Sequence, residues 1–325
     1  MQKAIKQSTL YSRPIPISIR ILFYVLKPLI PRKLQLILRR KRGQYLLSDN
    51  HSWPIDPASA IKPVGWQGWP QNKQFAVVLT HDIESRKGVA GVNRIAELEK
   101  ELGFRSSFNF VGDDYPIPAG LQAFLKEEGF EVGVHGLHHD GMMFVTKRTF
   151  RRHAIGINNC LRQWDAVGFR APSMHRKLEW IHDLNIHYDS STFDTDPFEP
   201  QPDAIKTIFP LWIVNKENNN AYVELPYTLA QDFTLFVLLG FKDIGIWIKK
   251  LDWLAEHGGM ALMITHPDYM CWNGSETGGE EYPAEYYRAF LKHIRSKYEG
   301  RYWNALPSEV AEYYASQMPL KEISH

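Results

Sequence analysis

The sequence predicts an α/β fold built on a mostly parallel sheet, open or closed into a barrel. Three observations carry this. From residue 75 onward, short apolar runs that read as strands alternate with segments of helical spacing. The leading run, Phe75-Ala-Val-Val-Leu79, is apolar without alternation, as in a strand covered on both faces. Several runs stop abruptly at groups able to do chemistry, and the ends of parallel strands converge on one edge of such a fold.

Taken in order, the chain divides into three parts. Residues 1–48 hold 11 Lys and Arg and no acid, interleaved with Ile, Leu, Phe and Tyr. They read either as an amphipathic segment on an anionic membrane surface or as helix packed on the body. Residues 49–74, with Trp53, Trp66 and Trp69 among prolines and glycines, read as an irregular strap whose tryptophans serve packing. Residues 75–325 hold the βα units. Strands are expected at 75–79, 104–112, 130–134, 166–169, 186–188, 222–225 and 260–265. Helices are expected at 88–102, 121–128, 146–164 and 242–257, two of them stopped by Gly103 and Gly129.

A chain of 325 residues with 44% hydrophobic content has room for one barrel with extensions. Its net charge of +2 hides an asymmetry, because everything after residue 48 carries 27 basic and 36 acidic residues. An acidic body disfavours nucleic acid as a partner. The two cysteines, Cys160 and Cys271, suggest neither a disulfide framework nor a thiolate metal site. No cleavable signal peptide is read, so a cytoplasmic location is expected, peripheral at the inner membrane face if the basic segment binds lipid. No apolar run approaches the length of a membrane span.

The chemistry lies at the strand ends. Thr80-His-Asp82-Ile-Glu84 delivers two acids to the rim. His135 and His139 stand four apart, a spacing that on one helical turn puts both imidazoles on one face. With a carboxylate from another strand end, such as Glu84, they form a two-His, one-carboxylate metal site with open positions; His138 competes for the assignment. Arg170, close before Pro172, is placed to clamp a carboxylate. His266 follows the run Met260–Ile264 and, read as neutral near pH 7, suits a general acid.

With these residues in view, the sequence resembles the NodB-like polysaccharide deacetylases, carbohydrate esterase family four, over roughly residues 75–268. Asp82-Ile-Glu84 is similar to the family's acid pair in its Asp-x-Asp spacing, with Glu84 one methylene longer. His135-Gly-Leu-His-His139 is similar to its His-[Ser/Thr]-x-x-His motif, with Gly136 in place of Ser or Thr. Phe169-Arg-Ala-Pro172 and Met263-Ile-Thr-His266 resemble two further motifs. The resemblance implies a distorted (β/α)7 barrel. It implies Asp82 as catalytic base, Arg170 as its orienter, and Glu84, His135 and His139 as ligands of a divalent metal, zinc first. It also implies His266 as acid and Asp189 as the acid's partner, with Asp194 and Asp196 as rivals. The reaction implied is hydrolysis of an N-acetyl or O-acetyl group on a sugar or glycan, one that is lipid-linked if the basic segment binds membrane, in cell-surface polysaccharide or glycolipid biosynthesis. Two other readings stay open: a metal-independent amidohydrolase acting on a small cyclic amide, and a non-catalytic member that binds glycans or a partner.

Overall fold

The computed structural model describes residues 30–49, 52–215, 217, 220–274 and 279–320. Most of the expected basic segment, residues 1–29, lies outside that range. Its last part is helix α1 (Arg32–Asp49).

The strand–helix alternation follows the sequence. β1 (Phe75–Ile83) leads into α2 (Arg86–Leu102), which starts at Ser85, whose hydroxyl accepts from the Lys87 amide, and stops at Gly103 with φ of 78°. Then come β2 (Ser106–Phe110), α3 (Leu121–Glu127), β3 (Glu131–Val134) and α4 (Lys147–Trp164), capped by the Thr146 side chain. Two short strands, β4 (Gly168–Phe169) and β5 (Tyr188–Asp189), flank the helical turn α5 (Leu178–Ile181). β6 (Leu211–Val214) and β7 (Ala221–Glu224) form a hairpin. The apolar run Phe233–Leu238 winds as a π-helix. After it come α6 (Gly245–His257), β8 (Met260–Thr265), the paired short strands β9 (Met270–Cys271) and β10 (Tyr282–Pro283), α7 (Ala284–Tyr298), β11 (Tyr302–Asn304) and α8 (Pro307–Gln317).

Among the described residues nine strands form one sheet in the order β11-β1-β2-β3-β4-β5-β7-β6, with β8 also paired to β1. Every pairing in it is parallel except β6 with β7. The sheet curls: the amides of Thr228 and Leu229, just past β7, both donate to the Leu262 carbonyl on β8 at 3.1 Å. This is a distorted barrel of seven parallel strands with β6 and β11 as additions.

Burial follows the pleat. Ala76, Val78, Leu262, Ile264, Val223 and Leu225 fill the barrel interior, and Val310, Ala311 and Tyr314 of α8 pack into the same cluster. Phe75, Val77 and Leu79 face the other way, under Val92, Ile95, Trp247 and Phe290 of the helical layer. Ahead of β1, Trp53 and Trp69 are buried, and Trp66 meets Trp69 edge-on at 4.9 Å.

Candidate active site and metal centre

Alternate residues of a strand face opposite layers. Asp82 and Thr80 therefore continue the interior row of Ala76 and Val78, while His81 continues the outer row. Asp82 is almost fully buried at the end of β1. Its Oδ1 accepts from Arg170 Nη1 and from Asn109 Nδ2, both at 2.9 Å. Arg170, wholly buried, also donates from Nη1 to Thr80 Oγ1 at 2.8 Å and from Nε to the Ser190 carbonyl at 3.0 Å. Burial alone would raise the Asp82 carboxyl, but the charges of Arg170, His135 and His266 and the Asn109 hydrogen bond together outweigh it and bring the group down to about 2.

Glu84, His135 and His139 converge as the sequence anticipates, with one possible ligand atom from each inside a span of 4.8 Å. Glu84 lies one residue past β1. Its Oε1 is 3.0 Å from His139 Nε2 and its Oε2 accepts from the Tyr269 hydroxyl at 3.0 Å. The expectation of a helical turn from His135 to His139 is corrected, because this stretch is an irregular loop. Gly136 sits at φ of 71°, and the loop bonds sideways instead, its Gly136 and Leu137 carbonyls accepting from the amides of Gly112 and Asp113 at 3.0 Å. Asp114 pins it further, accepting from the His139 amide at 2.7 Å and pairing with His138 Nδ1 at 2.9 Å. His138 is thereby held out of the ligand set. Gly136 also explains itself locally: a Cβ there would stand 2.4 Å from Cγ of Pro172, so the two motif loops touch where Ser or Thr would collide.

The donors fit a divalent metal. His135 Nδ1 faces the Arg170 carbonyl at 3.2 Å, which fixes its proton there and leaves Nε2 as a lone-pair donor. That Nε2 is buried without a hydrogen-bond partner among the described residues. Burial lowers the imidazole to about 4, so it is neutral, as a ligand must be. Two imidazoles and a carboxylate suit zinc and its neighbours in the first transition row.

His266 is placed as expected, at the end of β8, with Nε2 3.7 Å from Glu84 Oε1. Its partner is not. Asp232 Oδ1 lies 2.7 Å from His266 Nδ1, and Asp232 Oδ2 accepts the His266 amide at 2.8 Å and the Tyr282 hydroxyl at 2.8 Å. None of the three aspartates read from the sequence reaches it. Asp189, at the end of β5, accepts from the Ser191 hydroxyl and lies beside Glu224. Asp194 pairs with the buried Lys250 at 2.5 Å. Asp196 accepts from the Tyr227 hydroxyl, which also donates to Glu199. The neutral state expected for His266 is corrected as well. Burial would lower its pKa, but Asp232 and then Glu84 raise it to about 10, so the ring carries its proton at neutral pH.

No protein-family model matches the chain, and no curated protein matches it in sequence. Solved structures do match. A protein from Mycobacterium smegmatis described as a polysaccharide deacetylase superposes with a TM-score of 0.61 at 19% identity, over 81% of this chain and 96% of that one. A second protein so described, from Pseudomonas aeruginosa PAO1, gives 0.60 at 16%, over 83% and 100%. The PuuE allantoinase gives 0.59 at 15%, over 83% and 99%. At these identities the likeness is one of fold. The chain has the NodB-type barrel of the polysaccharide deacetylases, a fold shared with an allantoinase.

Proposed function

We propose that the protein is a metal-dependent deacetylase acting on an acetylated sugar or glycan. One observation carries this: the buried Nε2 of His135, without a hydrogen-bond partner among the described residues, meets Glu84 and His139 between two polar pairs of opposite readiness. On one flank Asp82, held by Arg170, is a carboxylate at every ordinary pH. On the other, His266, held by Asp232, keeps its proton. A barrel shared with an allantoinase does not choose among amide substrates. The Glu–His–His donor set speaks for the metal-dependent chemistry over the metal-independent cyclic-amide reading.

A divalent metal held by Glu84, His135 and His139 supplies a Lewis acid for the acetyl carbonyl and lowers the pKa of water. The chain's own residues do the proton work. Asp82 takes the proton of the attacking water, and Arg170 with Asn109 keeps its Oδ1 engaged so that Oδ2 faces the site. Oδ2 is 3.9 Å from His135 Nδ1, beside the ligand set. His266 gives the proton of Nε2 to the departing nitrogen, since an amine cannot leave as its anion. Asp232 stabilises the charged ring before that transfer and fixes Nδ1 toward itself.

Elemental analysis of purified protein, with acetate release measured on a panel of N-acetylated glycans and lipid-linked sugars, tests the reading. One equivalent of divalent metal lost in His135→Ala, together with acetate release, is expected. Metal-free protein that retains full turnover overturns it.

A further inference from the structure

Helix α1 is amphipathic twice over. Its inner face is pinned beside the site. Leu36 packs with Phe233, Val237 and Leu238 of the π-helix. Gly43 approaches so closely that a Cβ would lie 3.1 Å from Leu239. Arg40 donates to the carbonyls of Val237 and Gly279 at 3.0 and 2.6 Å, and Arg32 pairs with Glu280 at 2.8 Å. Arg39 lies over the Phe233 ring at 4.8 Å. Phe233 lies 4.7 Å from Tyr269, whose hydroxyl reaches Glu84. The helix is thus two aromatic layers from the candidate metal centre.

The outer face is also apolar. At about 100° per residue, Leu34, Leu38 and Tyr45 fall within roughly 40° of one another and about opposite Leu36. Their exposures are 46%, 55% and 68%, and neighbouring Ile37 is 48% exposed. Exposed Lys41 and Arg42 flank this stripe without ion-pair partners among the described residues.

We propose that the outer face of α1 lies on an anionic lipid surface and holds the mouth of the site at headgroup level. Charge selects this occupant. An apolar stripe edged by unpaired cations is the pattern of an interfacial helix. A second copy in two-fold pairing would set the same cations against each other. Residues 1–29 carry five Lys and Arg and no acid, so they cannot neutralise Lys41 and Arg42. Among the described residues no helix is long and apolar enough to cross a membrane. Taken with the deacetylase reading, on which this part rests, the placement makes the substrate an acetylated sugar carried on a lipid.

The test sediments the full chain with phosphatidylcholine vesicles, with and without phosphatidylglycerol. Binding to the anionic vesicles alone, released by salt, is expected. The double variants Leu34→Gln/Leu38→Gln and Lys41→Glu/Arg42→Glu each weaken it about tenfold or more. Both change exposed positions, and unchanged thermal melts confirm folding. Undiminished binding in both variants overturns the proposal, as does no pelleting of the full chain. A concentration-dependent dimer dissociated by the same substitutions also overturns it and makes a second copy the occupant. Sedimentation needs no turnover, so a chain that pellets but releases no acetate keeps the docking and loses the deacetylase reading.

Discussion

Two buried histidine–carboxylate pairs stand at the ends of adjacent strands, and they do different things. His266, closing β8, faces Asp232 at 2.7 Å. His81, on β1, faces Glu99 at 2.8 Å, with its other nitrogen 2.7 Å from Thr265 Oγ1. Glu99 is further held by the hydroxyls of Ser106 and Tyr287. The chemistry of the pairs is alike, but the face of the sheet differs. His266 opens toward Glu84, whereas His81 is sealed between β1, α2 and α7 with every polar atom engaged. A pair becomes a candidate acid when its strand delivers it to the interior rim. On the outer layer it is internal bracing, and one residue of strand register separates the two outcomes.

The largest effect is expected from Asp82→Asn, at the neighbour of His81 on the opposite face. Loss of the base is expected to lower kcat on the order of 10²–10⁴-fold while the metal stays bound. Metal lost along with activity would make Asp82 a ligand.

Asp232→Asn comes next, with a fall in kcat on the order of 10²-fold. Asp232 raises the His266 pKa, so without it the alkaline limb of the kcat/KM profile moves down by about one unit or more. A limb that stays put detaches Asp232 from the proton. Stability follows the same sign. A histidine whose folded pKa exceeds its unfolded value of about 6.5 stabilises fully below that pH. The contribution drains away as the pH climbs through about 10, and urea midpoints across that window read it.

Glu99→Gln is the matching change on the sealed side. There kcat stays within a few-fold, while unfolding free energy drops by about 1–3 kcal/mol as buried donors lose a charged acceptor. A collapse of kcat in a folded Glu99→Gln protein would place the His81–Glu99 pair in the catalytic machinery.

The smallest effect is expected from Gly136→Ser, which adds a Cβ against Pro172 at a left-handed φ. A cost of about 1–2 kcal/mol and weaker metal retention follow, read by melting and by chelator titration.

Much of this was legible in advance because the signals are local. An apolar run ending in acids places Asp82 and Glu84, and His135, His139, Arg170 and His266 each follow a readable strand. Asp232 was missed because it follows no strand. It opens the π-helical run Phe233–Leu238, whose almost entirely apolar sequence shows neither strand alternation nor helical spacing, and only the tertiary fold brings it to His266 across 34 residues. The recoverable signal was an acid standing directly before a long apolar run. Asn109 and Asp114 were equally silent, since a mid-strand amide and a loop acid carry no spacing of their own. The irregular path of His135–His139 could have been suspected from Gly136, where glycine permits a backbone that a helix excludes.

One pairing in the sheet bears on how the site comes into being. The edges of β1 are built largely from distant sequence, β8 along residues 76–81 and β11 along 75–77. Thr80 alone bonds across 183 residues to the Met263 carbonyl. Contacts so remote form late, after the entropy of closing a long loop has been met. On the ribosome, β1 emerges early and waits, with Val77 and Val78 bare and Asp82 still in water. The carboxylate is desolvated only when residues from 260 onward arrive and close the curl. Truncation before β8 therefore removes a wall of the base's own strand, and the first motif to be translated is among the last to be finished.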